Sequence, residues 1–114
     1  MGYMRHNAIL VTTWSEKHIE AAAGQAKELG LQMLGPSAEV VNGYRSLLVC
    51  PDGSKEGWQD SDEGDARRLA FRQWLRSQTH EDGSSPLEWV EFAYGNDDRK
   101  AGIVASTWLK TPNV

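Results

Sequence analysis

Ala38-Glu39-Val40-Val41-Asn42-Gly43-Tyr44-Arg45-Ser46-Leu47-Leu48-Val49-Cys50 is the stretch that decides the fold. Asn-Gly readily adopts the two positive φ angles of a type I′ turn, so the stretch reads as a β-hairpin turning at Asn42-Gly43. Its second arm, residues 44–50, is apolar and strand-forming. Its first arm, residues 38–41, is short. Residues 31–36 before it are ambiguous in pattern. If both arms pair, the sheet gains the strand that completes its pattern.

Upstream, Asn7-Ala8-Ile9-Leu10-Val11-Thr12-Thr13 is a nearly continuous apolar run, as expected of a strand covered on both faces. Ser15 reads as an N-cap. Ile19, Ala22, Ala23, Ala26 and Leu29 then recur at helical spacing, and Gly30 reads as the stop. Downstream, Ser61 or Asp62 reads as the cap of a second helix running to about Gln78. Its apolar face is Ala66, Leu69, Ala70, Phe71, Trp74 and Leu75. Residues 87–94 and 103–109 read as strands separated by polar turns. The order β-α-(β)-β-α-β-β predicts an α+β two-layer sandwich: two helices on one face of a four- to five-stranded, mainly antiparallel sheet. With the short arm paired, it is a ferredoxin-like unit with an added edge strand.

The 114 residues suit one domain, and 39% hydrophobic with 25% charged residues is a globular balance. A net charge of −4 argues against coating nucleic acid or an anionic membrane through bulk charge. No apolar run approaches the roughly 20 residues of a membrane span. Residues 1–6 lead into an apolar run too short for a signal peptide. Cys50 ends an apolar run, reads as a buried hydrophobe and has no disulfide partner in the chain, which suits a reducing cytoplasm. Of the five tryptophans, Trp74 and Trp108 read as core; Trp14 and Trp58 fall beside turns, where a half-exposed indole suits a contact surface.

The chemistry-bearing stretch is the loop of residues 51–65 and the helix after it. Arg68, Arg72 and Arg76 recur every four residues and so line one side of that helix, with Arg67 beside them. Lys55 lies in the loop, and Gly53, Ser54 and Gly57 offer backbone N–H groups. Guanidinium groups pair with phosphate and an indole stacks on a base. The candidate ligand-binding residues are therefore Gly53, Ser54, Lys55, Trp58, Arg68, Arg72 and Arg76, with a small phosphorylated molecule as ligand. The plainer alternative is a solvated helix face: acids at the start and arginines later complement the helix dipole, and Glu63–Arg67 and Asp65–Arg68 are ready ion pairs.

Other constellations are weaker. Asp60, Asp62 and Asp65 lack the third ligand before the glycine, where Glu63 and Gly64 stand, and the closing glutamate of a calcium loop, where Phe71 stands, so no metal or cofactor is expected. His6, His18 and His80 share no ligand spacing, and no nucleophile motif or phosphate-binding loop is present. A small metal-dependent phosphoesterase using the acids of residues 60–65 remains the enzymatic alternative. In the strand of residues 87–94, one glutamate must point inward. Turning Val90, Phe92 and Tyr94 towards the helices packs better and leaves Glu88 at the strand end. Trp89 then lies on the open sheet face near Thr107 and Leu109, so Trp89 and Leu109 are the candidate interface residues, for a host protein or a homo-oligomer.

Asn42-Gly43-Tyr44-Arg45-Ser46, Pro51-Asp52-Gly53-Ser54-Lys55-Glu56-Gly57-Trp58, Ser61-Asp62-x-Gly64-Asp65-x-x-Arg68 and Leu87-Glu88-Trp89-Val90-Glu91 together resemble small uncharacterised proteins encoded by tailed phages and prophages. The resemblance spans most of the chain and carries no catalytic residues. It implies an accessory or counter-defence protein in the bacterial cytoplasm, one that binds a host factor or sequesters a nucleotide signal.

Overall fold

The structure is a computed structural model that describes residues 4–54, 57–95 and 100–109. Strand β1 is Arg5–Thr13, helix α1 Glu16–Glu28, β2 Met33–Leu34, β3 Arg45–Val49, α2 Gln59–Ser77, β4 Glu88–Gly95 and β5 Ala101–Ser106. The sheet has five strands in the order β2-β3-β1-β4-β5, and every pairing is antiparallel. The first six of these elements make the split β-α-β arrangement expected of a ferredoxin-like unit, and β5 is the added edge.

The hairpin turns where its sequence predicts, but its first arm does not form in residues 38–41. Asn42 and Gly43 take φ angles of 61° and 76°, as a type I′ turn needs. The strand that pairs with β3 lies further back, with Met33 opposite Val49 and Leu34 opposite Leu48. Gly35-Pro36 ends this short ladder because proline has no N–H to contribute. Gly35 passes so close to β3 that an added Cβ would sit 2.9 Å from the Ser46 carbonyl oxygen. Beyond it, single hydrogen bonds replace a ladder: Ser37 N–H to Ser46 O at 2.7 Å and Val40 N–H to Tyr44 O at 3.0 Å.

Helix α1 begins as predicted, with the Ser15 hydroxyl accepting from the His18 N–H at 3.3 Å. It buries Ile19, Ala22 and Ala26 against the sheet, and Gly30 follows its end at φ 79°. The two faces of strand β1 are covered unequally. Ile9 and Val11 are fully buried beneath the helices, whereas Leu10 between them is 38% exposed. On that other face Ala8 is 2% exposed, so the apolar run is fully covered on its helix side and only partly on the other.

Strand β4 settles which glutamate is inward, and it is Glu91 rather than Glu88. Val11 lies opposite Trp89 and Ile9 opposite Glu91. Cross-strand partners share a face, so Trp89, Glu91 and Ala93 join Ile9 and Val11 under the helices. Val90, Phe92 and Tyr94 face away. Trp89 is therefore 3% exposed and belongs to the core, not to the open face. Trp108, expected in the core, is 73% exposed; β5 ends at Ser106, two residues before it.

Candidate functional site

Helix α2 starts at Gln59, ahead of the predicted cap, with Trp58 at its N-cap making no side-chain capping bond. Its buried positions are Ser61, Gly64, Arg68, Phe71, Arg72 and Leu75, spaced by three and four residues. Two arginines thus lie on the core-facing stripe. Arg68 and Arg72 are 5% and 9% exposed, and the expectation of a water-accessible arginine line is corrected. The cause lies opposite them: Glu91, 1% exposed, stands on β4 beneath the helix. Arg72 Nη1 donates to Glu91 Oε1, and Arg68 Nε lies 3.6 Å from Glu91 Oε2. Asn7 Nδ2 donates to the same oxygen at 2.9 Å. A buried carboxylate needs such partners, because an unpaired charge in the interior costs several kcal/mol.

Arg68 also ties the loop to the helix. Its Nη1 lies 3.5 Å from Asp52 Oδ2, and Nη2 donates to Asp65. Asp52 accepts from the Ser54 N–H at 2.9 Å and the Ser54 hydroxyl at 2.6 Å. Burial opposes the Asp52 charge, yet these bonds and the Arg68 guanidinium hold its carboxyl below the usual carboxylate range. Gly64 makes the approach possible, since a Cβ there would collide with the Asp52 carboxylate. The dipole reading correctly paired Asp65 with Arg68; its Asp52 and Glu91 contacts went unforeseen.

A concavity of about 320 Å³ does lie at the predicted loop, lined by Asp52, Gly53, Ser54, Trp58, Asp60, Glu63 and Arg67. Trp58 is 51% exposed beside it. Three carboxylates and one guanidinium line it, and that balance opposes a phosphate. Lys55 lies outside the described residues.

Arg76, Trp89 and Leu109, assigned from sequence to two different surfaces, meet at one place. The Arg76 guanidinium sits 4.9 Å from the centroid of the Trp89 ring. Its Nη2 donates to the carbonyls of Ser106 at 3.2 Å and Leu109 at 3.0 Å. The neighbouring cavity, about 510 Å³, is lined in part by Ser84, Ser85, Thr107 and Trp108. Those three hydroxyls already donate to Asp82, the Leu87 carbonyl and the Trp89 carbonyl. Arg76 therefore acts as a clamp on the chain leaving β5.

Among the described residues, no helix or strand covers the sheet face away from the helices; it is largely apolar, and Trp108 lines one end of it. Leu34, Leu48, Leu10 and Val90 lie opposite one another in sequence, one row across four strands. Ala8, Phe92 and Ile103 make the next row, and His6 lies opposite Tyr94 beyond it. Leu34 and Ile103 are 64% and 62% exposed. At the other end Thr12 lies opposite both Ser46 and Glu88. Leu10 separates two shallow hollows of about 270 and 230 Å³.

No family model matches the chain, and no curated protein does. Among solved structures it is similar to a mutant guanylyl cyclase domain of the RhoGC fusion protein from the aquatic fungus Blastocladiella emersonii. The identity is 10%, the match covers 92% of this chain and 71% of that one, and the TM-score is 0.39. Among the described residues, no helix is long and apolar enough to cross a membrane. Nor do they include a group of three or more His, Cys, Asp or Glu side chains that could hold a metal ion.

Proposed function

We propose that this protein works by binding and not by catalysis, as a protein-interaction module whose contact surface is the bare sheet face. One observation carries the reading: an uninterrupted row of Leu34, Leu48, Leu10 and Val90 meets water on the face opposite the helices. Contiguous apolar surface of this kind marks sites of protein contact in soluble proteins. The resemblance to phage and prophage proteins supports an accessory or counter-defence setting in a bacterial cell.

The test is site-specific photo-crosslinking in the producing cell. A benzophenone side chain at Tyr94 or Ile103 is expected to give a protein adduct, and one at Trp14 or Trp58 is not. Adducts from Trp58 alone, or from none of the four, would overturn the reading.

Sequestration of a phosphorylated ligand is the second reading; the half-exposed Trp58 indole, a stacking surface for a base, favours it, while the carboxylates lining the concavity beside it weigh against a phosphate there. It predicts that a nucleotide raises the melting temperature without magnesium and survives intact. It also predicts that Trp58→Ala abolishes the rise.

A further inference from the structure

From the character of the bare face, and resting on the reading just given, we infer that its occupant is a second copy of this chain. The two sheets pack face to face about a two-fold axis that runs across the strands. A two-fold contact must be self-complementary, because each patch meets its own image. An axis across the strands reverses their direction in the partner. The row holding Ala8 and Phe92 then meets the partner's row holding Leu10 and Val90.

Along β1 the small Ala8, itself 2% exposed, faces a leucine, and along β4 the large Phe92 faces a valine. Such small-against-large alternation lets facing layers interdigitate. The polar ends match as well. Tyr94 and His6 share one end of the face, and Glu88 lies at the other. The reversed partner brings its Glu88 carboxylate to the Tyr94 hydroxyl, with His6 beside it. An axis parallel to the strands would set like ends against each other, His6 on His6, and forfeit this pairing.

The area suffices. The five strands, about 4.8 Å apart and about six residues long at about 3.3 Å each, span roughly 24 by 20 Å. That is about 500 Å² in projection, of the order of the ~800 Å² per partner of a standard interface once surface relief is counted.

Sedimentation velocity of the full chain, over a wide concentration range, tests this. The natural sequence is expected to sediment as two copies and Leu10→Glu as one, with an unchanged far-ultraviolet circular dichroism spectrum. Glu88→Lys is expected to weaken the dimer about tenfold or more, because a charged hydrogen-bond partner is lost on both sides of the axis. Adding Tyr94→Glu to Glu88→Lys is expected to restore it. Positions 88 and 94 lie at opposite ends of β4, so only a contact between copies can produce that rescue. A dimer that survives Leu10→Glu overturns the two-fold packing, because the copies then meet through another surface. A natural sequence that stays monomeric, or a failed rescue, overturns this packing alone; the crosslinks from Tyr94 and Ile103 then decide the broader reading.

Discussion

Arg72 shows how far a single residue's role depends on what lies opposite it. Spaced four residues from Arg68 and Arg76, it looks like part of a solvated cationic line. It is instead a partner of the buried Glu91. Arg72→Ala is therefore expected to lower the unfolding free energy by about 3–5 kcal/mol, because it leaves a buried charge with too few partners. Urea denaturation measures it; a loss under about 1 kcal/mol would place the pair in contact with water. Asp52 makes a pH-dependent counterpart. Its carboxyl is held below its ordinary value in the folded state, so its contribution is present above the unfolded value and fades as pH falls through the folded one. Asp52→Asn is expected to flatten the acid side of the stability profile below about pH 4. An acid limb as steep as that of the natural sequence would show that other carboxylates dominate it. The inward acid was the legible hint of this site. Alternation along β4 requires Glu88 or Glu91 to point inward, and choosing Glu91 would have called for cations on the helix above it.

At the scale of elements, α2 and the β2–β3 hairpin record what local pattern can and cannot carry. The hairpin turn was legible because positive φ at Asn42 and Gly43 is a property of those two residues alone. The pairing arm was not: Met33 and Leu34 form a strand only because β3 is there to bond them, and a two-residue strand has no period to detect. Helix α2 was legible in extent, but its inward stripe was misassigned, since patterning puts arginines outside by default. Gly64 lies on that stripe and gives a test with a change of sign. Alanine exceeds glycine in helix propensity by about 1 kcal/mol, yet here its methyl would strike the Asp52 carboxylate. Gly64→Ala is expected to destabilise the natural sequence and to stabilise the Asp52→Ala variant, as thermal unfolding of the four proteins in the cycle would read. A gain in both backgrounds would mean that the loop does not rest on the helix at this point.

At the scale of the whole molecule, the described residues form a two-layer sandwich with no helix or strand on one side of the sheet, and the two faces of β1 make that asymmetry measurable. Val11 and Leu10 are neighbours in sequence and similar in chemistry, but Val11 is 0% exposed under the helices and Leu10 is 38% exposed on the other side. A polar side chain at Val11 loses core packing and buries an unsatisfied group, so Val11→Asn is expected to cost about 3 kcal/mol or more. Leu10→Asn removes little from the monomer's core and is expected to cost under about 1 kcal/mol at low protein concentration. The difference between them reports the fold; its concentration dependence reports the partner. If a second copy covers the face, association adds to apparent stability by mass action, so the melting temperature of the natural sequence rises with protein concentration. In Leu10→Asn that rise is expected to shrink or vanish, while in Val11→Asn, whose bare face is untouched, it persists on a lower baseline. Calorimetry of the three proteins at several concentrations separates these slopes, and a flat line for the natural sequence would leave the apolar rows without a partner of their own kind.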